Sequence, residues 1–205
     1  MSAPQSGSTR PFVIGVTGDI ASGKSTVLEM LGKFGAETIN ADEIYHELIQ
    51  PGQPLAKALV DHFGTDITAP GGGIDRRALG TIVFADPVAL AELDRITHPA
   101  VIEAAVARIA RSTHPLVAID AVKLVESGMA DYCDEVWLVE SDPAIQLERL
   151  VVRNGMDPDD ARARIAAIPD RTPVRARASV LIDNSGSRAD TRAQVEQARQ
   201  CILVS

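Results

Sequence analysis

A glycine-rich segment near the start of the chain constrains its fold more than any other feature. Residues 18–25 read GDIASGKS and match the phosphate-binding loop pattern G-x-x-x-x-G-K-S/T in full. The apolar, β-branched run FVIGVT precedes the loop, and the helical pattern TVLEML follows it. A strand, a glycine loop and a helix in this order direct backbone N–H groups and a helix N-terminus at one anion. The segment therefore predicts a site for a nucleoside triphosphate.

The residue types within this loop each have a predicted role. Gly18 and Gly23 allow backbone angles and a close approach of phosphate that a Cβ atom would obstruct. Lys24 is expected to reach the β- and γ-phosphates, and the Ser25 hydroxyl is expected to bind Mg²⁺. The loop thus predicts both a triphosphate and a metal ion as ligands.

Composition excludes several other classes of protein. The chain has 205 residues and a net charge of −8, which argues against a nucleic-acid partner because such partners require clustered positive charge. No apolar run approaches the length of a membrane span, and residues 1–10 are polar, which predicts a disordered tail. Two cysteines make no disulfide framework, so we expect a reduced, cytoplasmic setting. We expect a monomer or a weak homo-oligomer.

Strand patterns alternate with helical patterns along much of the chain. They predict strands at 12–17, 38–40, 116–120, 135–139 and 179–182. This alternation is typical of an α/β fold with a parallel sheet covered by helices on both faces. Helical patterns alone fill the stretch from 42 to 112, where His98-Pro99 is expected to end one helix and open the next at Ala100. We therefore predict a helical insert at 42–115 and a nucleotide core at 11–41 and 116–205.

Two aspartates follow predicted strands, where ligands bind in such folds. Asp42 is either the N-cap of the next helix or a carboxylate directed at an acceptor hydroxyl. Asp120 follows four apolar residues and is either a ligand of Mg²⁺ or of its water, or a plain strand-end residue. Both alternatives stay open for each residue.

The segment 149–177 carries seven arginines and no lysine. Arg149 and Arg153 lie four residues apart, on one face of a predicted helix. The planar guanidinium binds phosphate oxygens in pairs, so one interpretation is an arginine-rich lid over the triphosphate. The other is a solvated helix whose arginines pair with neighbouring aspartates.

Several short motifs, in this order, resemble those of the dephospho-coenzyme A kinase family. They are TGDIASGKST at 17–26, NADEI at 40–44, PG at 51–52, FG at 63–64, RAL at 77–79, IVF at 82–84, ITHP at 96–99 and IDNSG at 182–186. The resemblance extends over about residues 12–199. It implies a P-loop kinase fold with a nucleotide core, a helical acceptor-binding insert and a short lid.

The resemblance also implies an activity and a set of site residues. ATP would phosphorylate the ribose 3′-hydroxyl of dephospho-coenzyme A to give coenzyme A and ADP, with Asp42 as the catalytic base and Arg149 or Arg153 as the lid arginine. The loop at 184–186 would lie beside the adenine of ATP. The implied nucleotide contacts are Gly18, Ala21, Ser22, Gly23, Lys24, Ser25, Thr26, Asn184 and Gly186.

The chain departs from the family pattern at a few positions. Asp19 and Ala21 stand where the loop usually carries glycine, Asn40 replaces an aspartate, and Ile168 replaces a glutamine. A carboxylate beside the γ-phosphate repels it unless it is turned outward or paired with a cation. We expect the added Lys123 to be that cation; the alternative is that Lys123 contacts the acceptor. The departures leave two alternatives open: a kinase for another small phosphorylated or nucleoside-like acceptor, and a degenerate nucleotide-binding regulatory module.

Overall fold

The computed structural model describes residues 10–202, so the predicted tail at 1–10 lies outside the described residues apart from Arg10. Within this range the strands and helices, in chain order, are β1 (Phe12–Gly18), α1 (Lys24–Lys33), β2 (Glu37–Asn40), α2 (Ala41–Leu48), α3 (Pro54–Phe63), α4 (Arg76–Val83), α5 (Pro87–Arg111), β3 (Leu116–Asp120), β4 (Glu135–Glu140), α6 (Pro143–Glu148), α7 (Pro158–Ala166), α8 (Thr172–Arg177), β5 (Val180–Asp183) and α9 (Arg188–Ile202). A π-helical segment, Arg149–Arg153, continues α6.

The five strands form one parallel sheet in the order β2-β3-β1-β4-β5, flanked by helices as the sequence predicted. In the central strand β1, Val16 lies opposite Asp120 of β3 and Trp137 of β4. The last residue of β1, Gly18, lies opposite Val139. The glycine loop therefore leaves the middle of the carboxyl edge of the sheet, next to the strand that ends at Asp120.

The central strands are buried on both faces because helices cover the sheet from both sides. On one face the aliphatic side chains of β1 and β4 pack against α1 and α9, for example Val16 against Leu31 and Val195. Trp137 belongs to this cluster, is fully buried, and donates a hydrogen bond from Nε1 to Glu135 Oε2 at 2.7 Å. Because β1 is packed in this way, the end of β1, from which the glycine loop starts, is held in a fixed position.

The chain divides into two compact units. The first contains the residues up to Ile39 and those from Ile109 onward, and the second is Asn40–Arg108. The second unit has a core of its own, built from the apolar faces of its helices; its buried members are Ile49, Leu55, Ala56, Leu59, Ile67, Ile74, Leu79 and Val83. The described residues of the second unit are mainly helical, with one isolated bridge between Thr68 and Ile74.

Helix α5 continues through Pro99, so the prediction of two helices separated by His98-Pro99 was wrong. A proline removes one helical hydrogen bond and costs about 3 kcal/mol in a helix interior. Apolar residues on both sides of it, among them Leu93, Ile96 and Ala100, pack against the core of the second unit. This continuous apolar face offsets the cost of the proline.

Candidate active site

Both glycines of the loop occupy places that a larger residue cannot take. A Cβ atom on Gly18 would lie 2.3 Å from the carbonyl oxygen of Val139 in the neighbouring strand. Gly23 has φ +94°, and a Cβ atom there would lie 1.9 Å from Nδ2 of Asn184. Steric constraint therefore explains why the sequence carries glycine at both ends of the loop.

Helix α1 starts without a side-chain cap. Among the described residues no side chain bonds to its first N–H groups, and the N-cap residue is Gly23. Several other helices are capped by a side chain that accepts from their first turn, among them α2, α4, α6 and α7, with the caps Asn40, Asp75, Asp142 and Asp157. The uncapped N-terminus of α1, with Lys24 as its first residue, leaves backbone donors and a positive helix end for an anion.

Two residues inside the loop show features typical of ligand sites. Ala21 has φ +57°, in the left-handed region that residues other than glycine rarely adopt. The Ser22 hydroxyl is buried and, within residues 10–202, has no hydrogen-bond partner. Strained backbone and unsatisfied buried polar atoms concentrate where a ligand completes the structure.

The side chains of Arg149 and Asn184 support the loop through hydrogen bonds to its backbone carbonyl groups. Arg149 donates from Nη1 to the carbonyl oxygens of Ala21 and Ser22, at 3.0 and 3.1 Å, and from Nη2 to the carbonyl oxygen of Asn184 at 2.7 Å. The buried Asn184 side chain donates to the Ser22 carbonyl at 2.8 Å and accepts from the Thr191 hydroxyl at 2.8 Å. Two side chains distant in sequence thus fix two carbonyl groups of the loop.

These contacts involve two predicted site residues. The sequence predicted Arg149 or Arg153 as the lid arginine and Asn184 as a nucleotide contact; in the structure the side chains of Arg149 and Asn184 donate to carbonyl groups of the loop. Burial, together with the positive charge of Arg153, lowers the pKa of Arg149 from its usual value, and the side chain stays protonated at neutral pH.

Arg153 itself is exposed and makes no ion pair with any described residue. Gly186 is exposed in the turn after β5.

Replacing Asn184 with alanine should lower the free energy of unfolding by about 1–3 kcal/mol, because the variant removes a buried hydrogen-bonded amide. ATP affinity should fall with it, since the Ser22 carbonyl loses a donor. Urea unfolding and nucleotide titration measure the two effects. The control is the exposed Asn154→Ala. Unchanged stability with weakened ATP binding would instead identify Asn184 as a direct nucleotide contact.

Oxygen ligands suited to a small divalent cation lie at both sides of the loop. Ser25 is exposed in the first turn of α1, and Asp120 ends β3 next to β1. Within the described part of the chain no group of three or more histidine, cysteine, aspartate or glutamate residues could hold a metal ion. Mg²⁺ commonly binds through one or two protein oxygens together with substrate phosphates. Ser25 and Asp120 fit that mode of binding.

The structure decides which residue caps α2. Asn40 Oδ1 accepts hydrogen bonds from the backbone N–H groups of Asp42 and Glu43, at 2.8 and 3.1 Å. Asp42 is therefore not the N-cap, and that interpretation was wrong. Its exposed carboxylate lies in the first turn of α2, in the second unit. Asparagine and aspartate cap helices about equally well, which explains why Asn40 can replace an aspartate.

The cation that compensates Asp19 is Arg171, a residue that the sequence reasoning did not single out. Arg171 Nε donates to Asp19 Oδ1 at 2.6 Å, and Nη1 donates to Glu126 Oε1 at 2.9 Å. The sequence had assigned this role to Lys123. Arg171 and Asp19 are 152 positions apart in the chain, so their spacing could not predict the pair. The only indication in the sequence was the excess of arginine in the lid segment.

Other arginines of the lid segment form ion pairs at the surface. Arg162 pairs with Asp159 within α7, as the solvated-helix interpretation predicted for neighbouring aspartates. Arg175 pairs with Glu140, and its side chain is more than half exposed. Exposed pairs of this kind contribute little to stability. These pairs agree with the solvated interpretation for part of the segment, and the arginine lid over the triphosphate stays a prediction.

Sequence comparison decides the family. The family model described as dephospho-CoA kinase matches residues 12–190. The chain belongs to the dephospho-CoA kinase family. It is 47% identical over 189 residues to a dephospho-CoA kinase of Symbiobacterium thermophilum, which covers 91% of this chain and 79% of that protein. It is 45% identical over 187 residues to one of Geobacter metallireducens, with 90% and 93% covered.

Solved structures of similar proteins agree with the fold described above. A Thermus thermophilus protein, TT1252, matches with a TM-score of 0.80 and 29% identity over 95% of this chain and 99% of that one. A shikimate kinase of Bacteroides thetaiotaomicron shares the fold alone, with a TM-score of 0.57 and 13% identity. As a member of this family the chain is a transferase that phosphorylates an alcohol group. No helix in residues 10–202 is long and apolar enough to cross a membrane.

Proposed function

We propose that this kinase transfers the γ-phosphoryl group of ATP to the ribose 3′-hydroxyl of dephospho-coenzyme A, giving coenzyme A and ADP. The observation that carries the proposal is the complete phosphate loop, with an uncapped helix N-terminus behind it, in a chain of this family. The order of the short motifs from 12 to 199 supports the choice of acceptor.

The loop and the start of α1 bind the triphosphate. The N-terminus of α1, which no described side chain caps, would bind the phosphate oxygens, and the Lys24 ammonium would compensate charge on the β- and γ-phosphates. Ser25 and Asp120 are the residues that would hold Mg²⁺, which when bound neutralises charge on the same oxygens. Because catalysis of phosphoryl transfer is mainly positioning and charge stabilisation, these groups provide most of the rate enhancement.

The acceptor hydroxyl needs a group that takes its proton. The oxygen attacks the γ-phosphorus, the bond from that phosphorus to the bridging β,γ-oxygen breaks, and ADP leaves. We assign the proton to Asp42, whose carboxylate is exposed and is not engaged in capping α2. The second unit, which carries Asp42, is accordingly proposed to bind the acceptor.

The exposed Arg153 is the better candidate for the lid arginine. Arg149 has its guanidinium engaged by carbonyl groups of the loop and of Asn184, whereas Arg153 lies at the end of the π-helical segment without an ion pair among residues 10–202.

We further propose a cytoplasmic, monomeric or weakly associating enzyme with no nucleic-acid partner, which fits the net charge of −8 and the absence of a disulfide at Cys133 and Cys201.

A panel of acceptors tests the proposal. The purified protein is incubated with ATP, Mg²⁺ and one acceptor at a time, beginning with dephospho-coenzyme A, and the products are analysed by mass spectrometry. Dephospho-coenzyme A should gain one phosphate while ADP forms in equal amount. Conversion of a different nucleoside or phosphorylated acceptor, with dephospho-coenzyme A unchanged, would show that the acceptor assignment is wrong. ATP binding without any transfer would favour a regulatory module.

A further inference from the structure

An ion pair joins the second residue of the phosphate loop to the lid segment. Arg171, between α7 and α8, donates from Nε to Asp19 Oδ1 at 2.6 Å, and its Nη2 contacts the same oxygen. On its other side Nη1 donates to Glu126 Oε1 at 2.9 Å. Two carboxylates from separate parts of the chain thus orient one guanidinium.

The burial of this group sets it apart from the other arginine pairs of the lid. The side chains of Arg171 and Asp19 are 14% and 16% exposed, whereas those of Arg162 and Asp159 are 61% and 91% exposed. Charges removed from water are screened less, so the charge of Asp19 acts strongly on its surroundings. Next to a triphosphate site, an uncompensated carboxylate at Asp19 would repel the ligand.

We infer that Arg171 is a positioning residue for ATP, which neutralises Asp19 and so allows a loop with a carboxylate as its second residue to accept a triphosphate. This inference rests on the proposed ATP site. Glu126 completes the arrangement by holding the guanidinium in the orientation that faces Asp19. Because Arg171 belongs to the lid segment, the same contact fixes that segment to the loop.

The mechanism makes the effect of Arg171 depend on Asp19 and on ligand charge. Without Arg171 the repulsion from Asp19 acts on every phosphate, so the loss of affinity should be largest for ATP, smaller for ADP and smallest for AMP. A residue that only stabilises the lid would show neither dependence.

The test uses a double-mutant cycle on the full chain. The variants are Arg171→Gln, Asp19→Asn and the two combined, with Arg162→Gln as a control that removes an equal charge from the same segment. Each is measured for affinity to ATP, ADP and AMP by calorimetry, for the KM of ATP and kcat, and for thermal stability. Arg171→Lys keeps the positive charge at this position. It is included so that the inference can still be tested if Arg171→Gln fails to fold.

We expect Arg171→Gln to raise the KM of ATP about 10-fold, and the combined variant to have the same KM as Asp19→Asn alone. Arg162→Gln should change nothing, and Arg171→Lys should retain most of the affinity. An equal loss for Arg171→Gln with and without Asp19 would overturn the inference, because it would show direct contact with phosphate. Unchanged ATP affinity in Arg171→Gln would also overturn it. The unmodified protein, assayed in parallel, reports separately on the proposed function.

Discussion

Replacing Lys24 with alanine should lower kcat about 10²–10³-fold while the protein remains folded. Lys24 is the first residue of α1 and lies where the loop ends, so its ammonium is placed to follow charge that moves between the β- and γ-phosphates. Steady-state kinetics with dephospho-coenzyme A and ATP measure the loss, and circular dichroism checks the fold.

Lys33→Ala is the matched control for Lys24→Ala. It removes a lysine from the same helix, but its side chain is exposed and pairs with Glu29 one turn away. Its kcat should stay near that of the unmodified enzyme. Near-normal turnover in a folded Lys24→Ala variant would contradict the assignment of the loop as the triphosphate site.

Asp42→Asn should lower kcat about 10²–10⁴-fold and leave ATP affinity unchanged, because the carboxylate is assigned to the acceptor hydroxyl. Its thermal stability should also stay close to normal, since Asn40 and not Asp42 caps α2. Rapid-quench kinetics measure the rate of the chemical step, and calorimetry measures ATP binding.

Glu43→Gln provides the control for Asp42→Asn, since Glu43 is exposed in the same helical turn and carries the same charge. It should keep normal turnover. Loss of stability without loss of turnover in Asp42→Asn would mean that the aspartate supports the helix and does not act on the acceptor.

Local patterns predicted those parts of the molecule that local physics determines. The strands follow from short-range preferences and lie within one residue of the predicted ranges, whereas α1 begins at Lys24, two residues before the predicted helical pattern. The sequence left open whether Asp42 caps α2, because Asn40 and Asp42 are both good capping residues and the choice depends on where β2 ends. Pro99 was misread because a proline penalty is local, whereas the packing that outweighs it is not.

The support of the loop could not be predicted from the sequence. Arg149 and Asn184 reach it across 128 and 162 positions of chain, and no periodicity records such contacts. The sequence does not distinguish an arginine that donates to backbone carbonyl groups from an arginine that binds phosphate. Only the position of its guanidinium in the folded protein distinguishes these two uses.

The burial of Trp137 has a consequence for spectroscopy. It is the only tryptophan of the chain and lies within the sheet of the first unit, so the second unit, Asn40–Arg108, has no indole group. Tryptophan emission therefore reports on the environment of the sheet, whereas far-ultraviolet circular dichroism records helices in both units. A denaturant step in helicity that leaves the emission unchanged is the signature of the second unit unfolding alone.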